Sequence, residues 1–136
     1  MNKLIGAILL AFILIAPYQL ATAGIGDSQT LFCAVIDAID CKAGNGCSKT
    51  TAEDINISQF IKVDLQSKKI SSVGNPESKR ESAFKNYNRV EGSIIIQGSE
   101  EGRGWSAVID ESTGKISATI VEGGGSFVIF GACIPD

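Results

Sequence analysis

Residues 103–122 read Arg103-Gly104-Trp105-Ser106-Ala107-Val108-Ile109-Asp110-Glu111-Ser112-Thr113-Gly114-Lys115-Ile116-Ser117-Ala118-Thr119-Ile120-Val121-Glu122. Trp105, Ala107 and Ile109 fall on alternate positions before a polar centre. Ile116, Ala118 and Ile120 do the same after it, with Ser117 and Thr119 between them. A period of two puts one face of a strand on a core and the other in water. The centre, Asp110 to Lys115, predicts a type I turn closed by Gly114 in the left-handed conformation, a standard join between antiparallel strands. The stretch therefore reads as a hairpin, and the fold class depends on how far the pattern extends.

It extends in both directions. Ile61, Val63 and Leu65 alternate with Lys62, Asp64 and Gln66, and Phe127 and Ile129 continue the period towards Cys133. Turn signals stand at Ala43-Gly44-Asn45-Gly46, Val73-Gly74-Asn75-Pro76, Gly98-Ser99-Glu100-Glu101-Gly102 and Gly123-Gly124-Gly125. Apolar, mostly β-branched runs near 30–37, 57–65, 68–73, 84–90, 93–98, 103–110, 115–122 and 126–133 predict about eight strands. No helical period is convincing after residue 23. A meander of this many short strands curls shut, which removes exposed edges. The expected fold is all-β, a small antiparallel up-and-down barrel, with a two-sheet β-sandwich as the alternative.

The first 23 residues are of another kind. Met1-Asn2-Lys3 leads into an apolar run from Leu4 to Ala16, and Ala21-Thr22-Ala23 supplies small residues where a signal peptidase cuts. Thirteen residues rise about 20 Å as a helix, short of the ~30 Å hydrocarbon core. Residues 1–23 thus read as a cleaved signal peptide and 24–136 as a single domain, exported to a periplasm or to the outside and not membrane-spanning after cleavage. An uncleaved tether is the competing reading. The remaining 113 residues carry 11 basic and 15 acidic side chains, a balance that argues against nucleic acid or an anionic membrane as the main partner.

All four cysteines, Cys33, Cys41, Cys47 and Cys133, lie in the mature part. Their spacing does not suit paired zinc knuckles, and an even count in an oxidising compartment reads as disulfides. In a closed meander the first and last strands are neighbours, which pairs Cys33 with Cys133 and leaves Cys41 with Cys47 as a local staple. Two other connectivities stay open.

The chain has no histidine, which removes the commonest general base, the commonest neutral metal ligand and every Ser-His or Cys-His nucleophile. Ser106 and Ser126 sit near glycines, but the plain reading is a strand face and the end of a turn. Glu91, Glu100, Glu101, Asp110 and Glu111 could supply the two carboxylates of a glycoside hydrolase. As turn residues, they more simply keep loops solvated. Glu122-Gly123-Gly124-Gly125-Ser126 lacks the following helix that a phosphate cradle needs. Lys79-Arg80 reads as a solvated basic turn, and Asn56-Ile57-Ser58 fits the glycosylation triplet. No catalytic residue, metal ligand or cofactor is therefore expected.

The patch most suggestive of binding is Gly102-Arg103-Gly104-Trp105, where the only tryptophan stands beside a cation and two glycines. The plain reading of Trp105 is a core plug. The functional reading joins Arg103 and Trp105 with Tyr87 and Arg89, which share one face of their strand, into a recognition surface; the plain reading of Tyr87 and Arg89 is a solvated outer face.

Residues 104–110, Thr113-Gly114-Lys115, Ala118-Thr119, and Gly125-Ser126-Phe127 through Gly131-Ala132-Cys133 resemble a class of short exported bacterial proteins without an assigned activity. That likeness implies export and a disulfide-containing β domain, and carries over no functional residue. The general plan is also similar to small periplasmic barrels that inhibit lysozymes, although the Ser-Ala-Ser-Gly loop and downstream tyrosine of the C-type inhibitors are missing. The expected function is a non-catalytic binding module for a small molecule or envelope component. The alternative is an interaction or inhibitor protein acting on a secreted or envelope hydrolase.

Overall fold

A computed structural model describes residues 24–74 and 79–136. The signal peptide expected at 1–23 and the Asn75-Pro76 part of one expected turn lie outside the described residues. Those described form nine strands: β1 Thr30–Lys42, β2 Gly46–Thr50, β3 Phe60–Asp64, β4 Lys69–Ser72, β5 Glu81–Val90, β6 Ser93–Glu100, β7 Arg103–Asp110, β8 Lys115–Glu122 and β9 Gly125–Pro135. Every pairing is antiparallel. From β3 to β9 each strand pairs with the next, and β1 pairs with both β3 and β9, closing a ring of eight. The fold is the expected up-and-down barrel, and the sandwich alternative is not what forms.

The ninth strand corrects the sequence reading. β2, Gly-Cys-Ser-Lys-Thr, folds back on the C-terminal half of β1, pairing Ala38 with Thr50 through Lys42 with Gly46. It shows no apolar alternation because it lies outside the ring and most of it is exposed. β1 correspondingly runs to Lys42, well past the expected end near 37, since β9 pairs with it as far as Gly125. The strand expected to begin near 57 begins at Phe60, and the residues before it form a loop.

Alternation places the core. Leu31, Val63, Leu65, Ile94, Ile96 and Ile109 are essentially fully buried, and each contributes about 1.5–3 kcal/mol of hydrophobic stabilisation. A bulge at Lys85 restores the inward phase of Tyr87 after buried Phe84. One end of the ring is sealed by the segment before β1. Ile25 is buried there, its N–H donates to the Glu111 carbonyl at 2.9 Å, and the Leu65 N–H donates to the Gln29 carbonyl at 2.8 Å.

Both disulfides join residues directly opposed in register. Cys33–Cys133 bridges β1 and β9, the seam that closes the ring, and Cys41–Cys47 bridges β1 and β2. No cysteine is free.

Candidate functional site: a cavity inside the barrel

The inward positions of β7 and β8 pair Ile109 with Ile116, Ala107 with Ala118, and Trp105 with Ile120. The middle pair is small where its neighbours are large, so the barrel is filled by isoleucine below and left open beside the two alanines. The result is a cavity of about 170 Å³, walled chiefly by Ile61, Ile70, Trp105, Ala107, Ala118 and Ile120. Side chains and backbone from all eight ring strands reach its surface.

Trp105 owes its position to glycine. Gly98 faces it across β6, and a Cβ on Gly98 would run into the indole ring. The indole meets Phe84 edge-on at 6.4 Å, and Phe84 meets Tyr87 at 6.3 Å, both within the range of favourable aromatic pairs. The two readings of Trp105 thus coincide in one residue: it packs on the core and lines the cavity. Arg103, two residues nearer the mouth, donates from Nε to Glu122 Oε2 at 2.8 Å and lies over the Phe127 ring at 5.7 Å.

The other two candidates are placed differently. Tyr87 and Arg89 do share a face, but it is the inward one, opposite Ile96 and Ile94, and neither lines the cavity. Arg89 belongs to the sealed end, donating to the carbonyls of Gly26 at 3.1 Å and Ser28 at 3.0 Å and pairing with Glu111. Arg103 and Trp105 are therefore together at the cavity, while Tyr87 supports it from below and Arg89 closes the far end.

The open end is covered by residues 51–59, between β2 and β3. Thr51 Oγ1 donates to Asp54 Oδ2 and accepts the Asp54 N–H, and the Ile57 N–H reaches the Ala52 carbonyl at 2.8 Å. Ile55 and Ile57 pack on Ala38, Phe127 and Ile129, a second apolar cluster above the first. Arg80 fastens this loop. Its Nη1 donates to the Asn56 carbonyl at 2.5 Å, and its Nη2 pairs with Glu100 and Glu101 at 3.4 and 3.3 Å. The basic turn of the sequence reading is here a bridge between the loop and the β6–β7 turn.

A larger groove, about 580 Å³, lies outside the loop, against the β1 bulge at Ile36. It is bordered by Asp37, Thr50, Glu53, Gln59 and other polar or exposed groups, whereas small-molecule pockets are mostly apolar with a few polar groups converging. The interior cavity has that character and the groove does not.

Two buried polar atoms, Ser82 Oγ and Asp40 Oδ1, have no hydrogen-bond partner among the described residues. Ser82 pairs with Ile70 across β4 and β5 and lines the cavity. The carboxylates considered for catalysis are dispersed: Asp110 and Glu111 stand at the sealed end, and Glu100 and Glu101 at the covered end beside Arg80. Ser106, opposite exposed Thr119, and Ser126, opposite exposed Val121, hold outward positions. Among the described residues, no group of three or more acidic or cysteine side chains is placed to hold a metal, and no helix is long and apolar enough to cross a membrane.

Compared with protein families, characterised proteins and solved structures, the chain matches none. The likeness to exported bacterial proteins rests on the residues quoted for it alone.

Sequence reasoning missed Arg80, Ser82 and the alanine pair. The alanines did carry a signal, as small residues at inward positions of strands otherwise filled by isoleucine and tryptophan. Arg80 and Ser82 carried none, because their roles depend on strands distant in sequence.

Proposed function

We propose that this chain is an exported, non-catalytic binding module whose barrel interior takes up a small apolar molecule. Residues 1–23 direct export and are removed, and residues 24–136 work in an oxidising compartment, a periplasm or the outside. Two disulfides suit such a compartment.

One observation carries the reading: the Ala107–Ala118 cavity, apolar inside and covered by a loop. Its size sets the ligand class. A cavity near 170 Å³ compares with the roughly 150 Å³ apolar cavity that takes up benzene, and falls below the ~300–1,000 Å³ of pockets for drug-sized molecules. The fitting ligand has a single ring with at most one or two small substituents. The absence of histidine, the pairing of every cysteine, and the ion pairs at Glu100 and Glu122 favour binding over catalysis.

Trp105 is the only tryptophan, so its emission reports on the cavity directly. Titrating the disulfide-intact protein with toluene is expected to change that emission with one-site saturation. Ala118→Leu, which fills the space, is expected to abolish the change while the protein stays folded by circular dichroism. A flat titration, or saturation unaffected by the filled cavity, would overturn the reading.

A protein-interaction role, for instance on a secreted or envelope hydrolase, has one observation in its favour. On the outer face Phe32 stacks with Phe60 at 5.8 Å beside exposed Ile134. Apolar surface of this kind marks contact sites. Weighing the non-reduced native protein separates the two: a small-molecule mass supports the cavity, and a protein-sized adduct supports the outer face.

A further inference from the structure

The cavity wall is largely apolar, and of the three serines that border it Ser58 donates to the Phe60 carbonyl at 2.7 Å and Ser72 accepts the Arg80 N–H at 2.8 Å, which leaves the Ser82 hydroxyl. Ser82 faces inward on β5, two residues before buried Phe84, and its Oγ is buried without a hydrogen-bond partner among the described residues. Folded proteins seldom leave a buried hydroxyl unpaired, because the lost hydrogen bond to water is then not replaced. We infer that Ser82 is the polar anchor of the cavity, and that its ligand is a neutral single-ring molecule bearing one hydroxyl or carbonyl group, such as a phenol.

Three observations select this class. The volume admits one ring, on the same comparison that supports binding inside the barrel. The charged groups at the mouth are matched among the described residues, Arg80 with Glu100 and Glu101 and Arg103 with Glu122, so none of these charges awaits an ionic ligand. Below them the walls are mainly aliphatic and aromatic, where an ionised group would lose its hydration without return. A serine hydroxyl both donates and accepts, so it serves a hydroxyl or a carbonyl equally. It turns towards the ligand by rotation about χ1 alone.

This inference rests on the cavity reading, and the experiment separates the two. Toluene and p-cresol differ by one hydroxyl, and both are titrated against Trp105 emission in the disulfide-intact protein and in Ser82→Ala. The protein is expected to bind p-cresol about tenfold more tightly than toluene, the worth of one hydrogen bond. In Ser82→Ala the toluene affinity is expected to hold and the preference to disappear. Its melting temperature is expected to equal or exceed that of the parent, since the substitution removes an unpaired hydroxyl. Should Ser82→Ala fail to fold, Ser82→Thr, which retains the hydroxyl, replaces it and is expected to keep the preference. Equal binding of the two rings by the parent, a preference surviving in Ser82→Ala, or a preference lost in Ser82→Thr overturns the anchor while leaving the cavity. Binding of neither ring overturns the cavity reading and the anchor with it.

Discussion

Asp110 shows how one side chain builds a turn. Its Oδ1 accepts from the hydroxyl of Ser112 at 2.6 Å and that of Thr113 at 2.9 Å, and from their backbone N–H groups at 3.0 and 2.8 Å. These donors favour the charged form, the Ser112 and Thr113 hydroxyls most, and lower the pKa of Asp110 from 3.8 to about 2. The folded protein thus holds this proton less readily than the unfolded chain, so the stabilisation is present above pH 3.8 and is lost as pH falls through about 2. Melting temperatures of the parent and Asp110→Asn, taken from pH 6 downward, are expected to converge across that window. A difference that stays constant throughout would refute the assignment. Gly114 completes the turn at φ 70°, and a Cβ there would strike the Cys133 carbonyl, so the adjacent β9 also requires glycine. The left-handed glycine was legible in the turn itself. The contact with β9 was not, because residue 133 is remote in sequence.

At the scale of elements, the hairpins were legible and their exceptions were not. The β5–β6 and β6–β7 turns put Glu91-Gly92 and Glu101-Gly102 at positive φ, the backbone that suits two-residue antiparallel joins. β2 escaped because an edge strand outside the ring needs no apolar face. The strand expected near 57–65 took in residues 57–59, which belong to the loop over residues 51–59, where Ile55 and Ile57 turn inward to cap the barrel. Arg80 holds this cap from outside. Removing it in Arg80→Ala forfeits a charge-assisted bond to the Asn56 carbonyl and two half-exposed ion pairs, together about 1–2 kcal/mol after solvent screening. Hydrogen exchange at the Ile57 amide is expected to quicken by roughly 5- to 30-fold, with the Ile96 amide unchanged. Equal acceleration at both would mean that Arg80 supports the whole barrel and not the loop.

For the whole molecule, closure is the event that matters. Cys33 and Cys133 are separated by 100 residues and meet on the β1–β9 seam, so their bond constrains nearly the entire unfolded chain. In the chain-entropy model such a loop is worth about 4–5 kcal/mol, and the six-residue separation of Cys41 and Cys47 roughly half as much. At about 4 °C per kcal/mol for a domain of this size, the Cys33→Ala/Cys133→Ala variant is expected to melt about 15–20 °C lower. Cys41→Ala/Cys47→Ala is expected to lose about 10 °C. The reverse order would show that the seam is held by strand pairing alone. The sequence by itself determined the strands that alternate and the turns between them, because period and turn chemistry are written in neighbouring residues; between barrel and sandwich, and among the three cysteine connectivities, the β1–β9 closure decided. Only the tertiary structure decided where the barrel is hollow, which end is sealed and which is capped, and that Ser82, Trp105 and the Ala107–Ala118 pair border one space. A cavity is a property of side chains from many strands at one level of the barrel, and that level is set by strand register, which no local stretch of sequence contains.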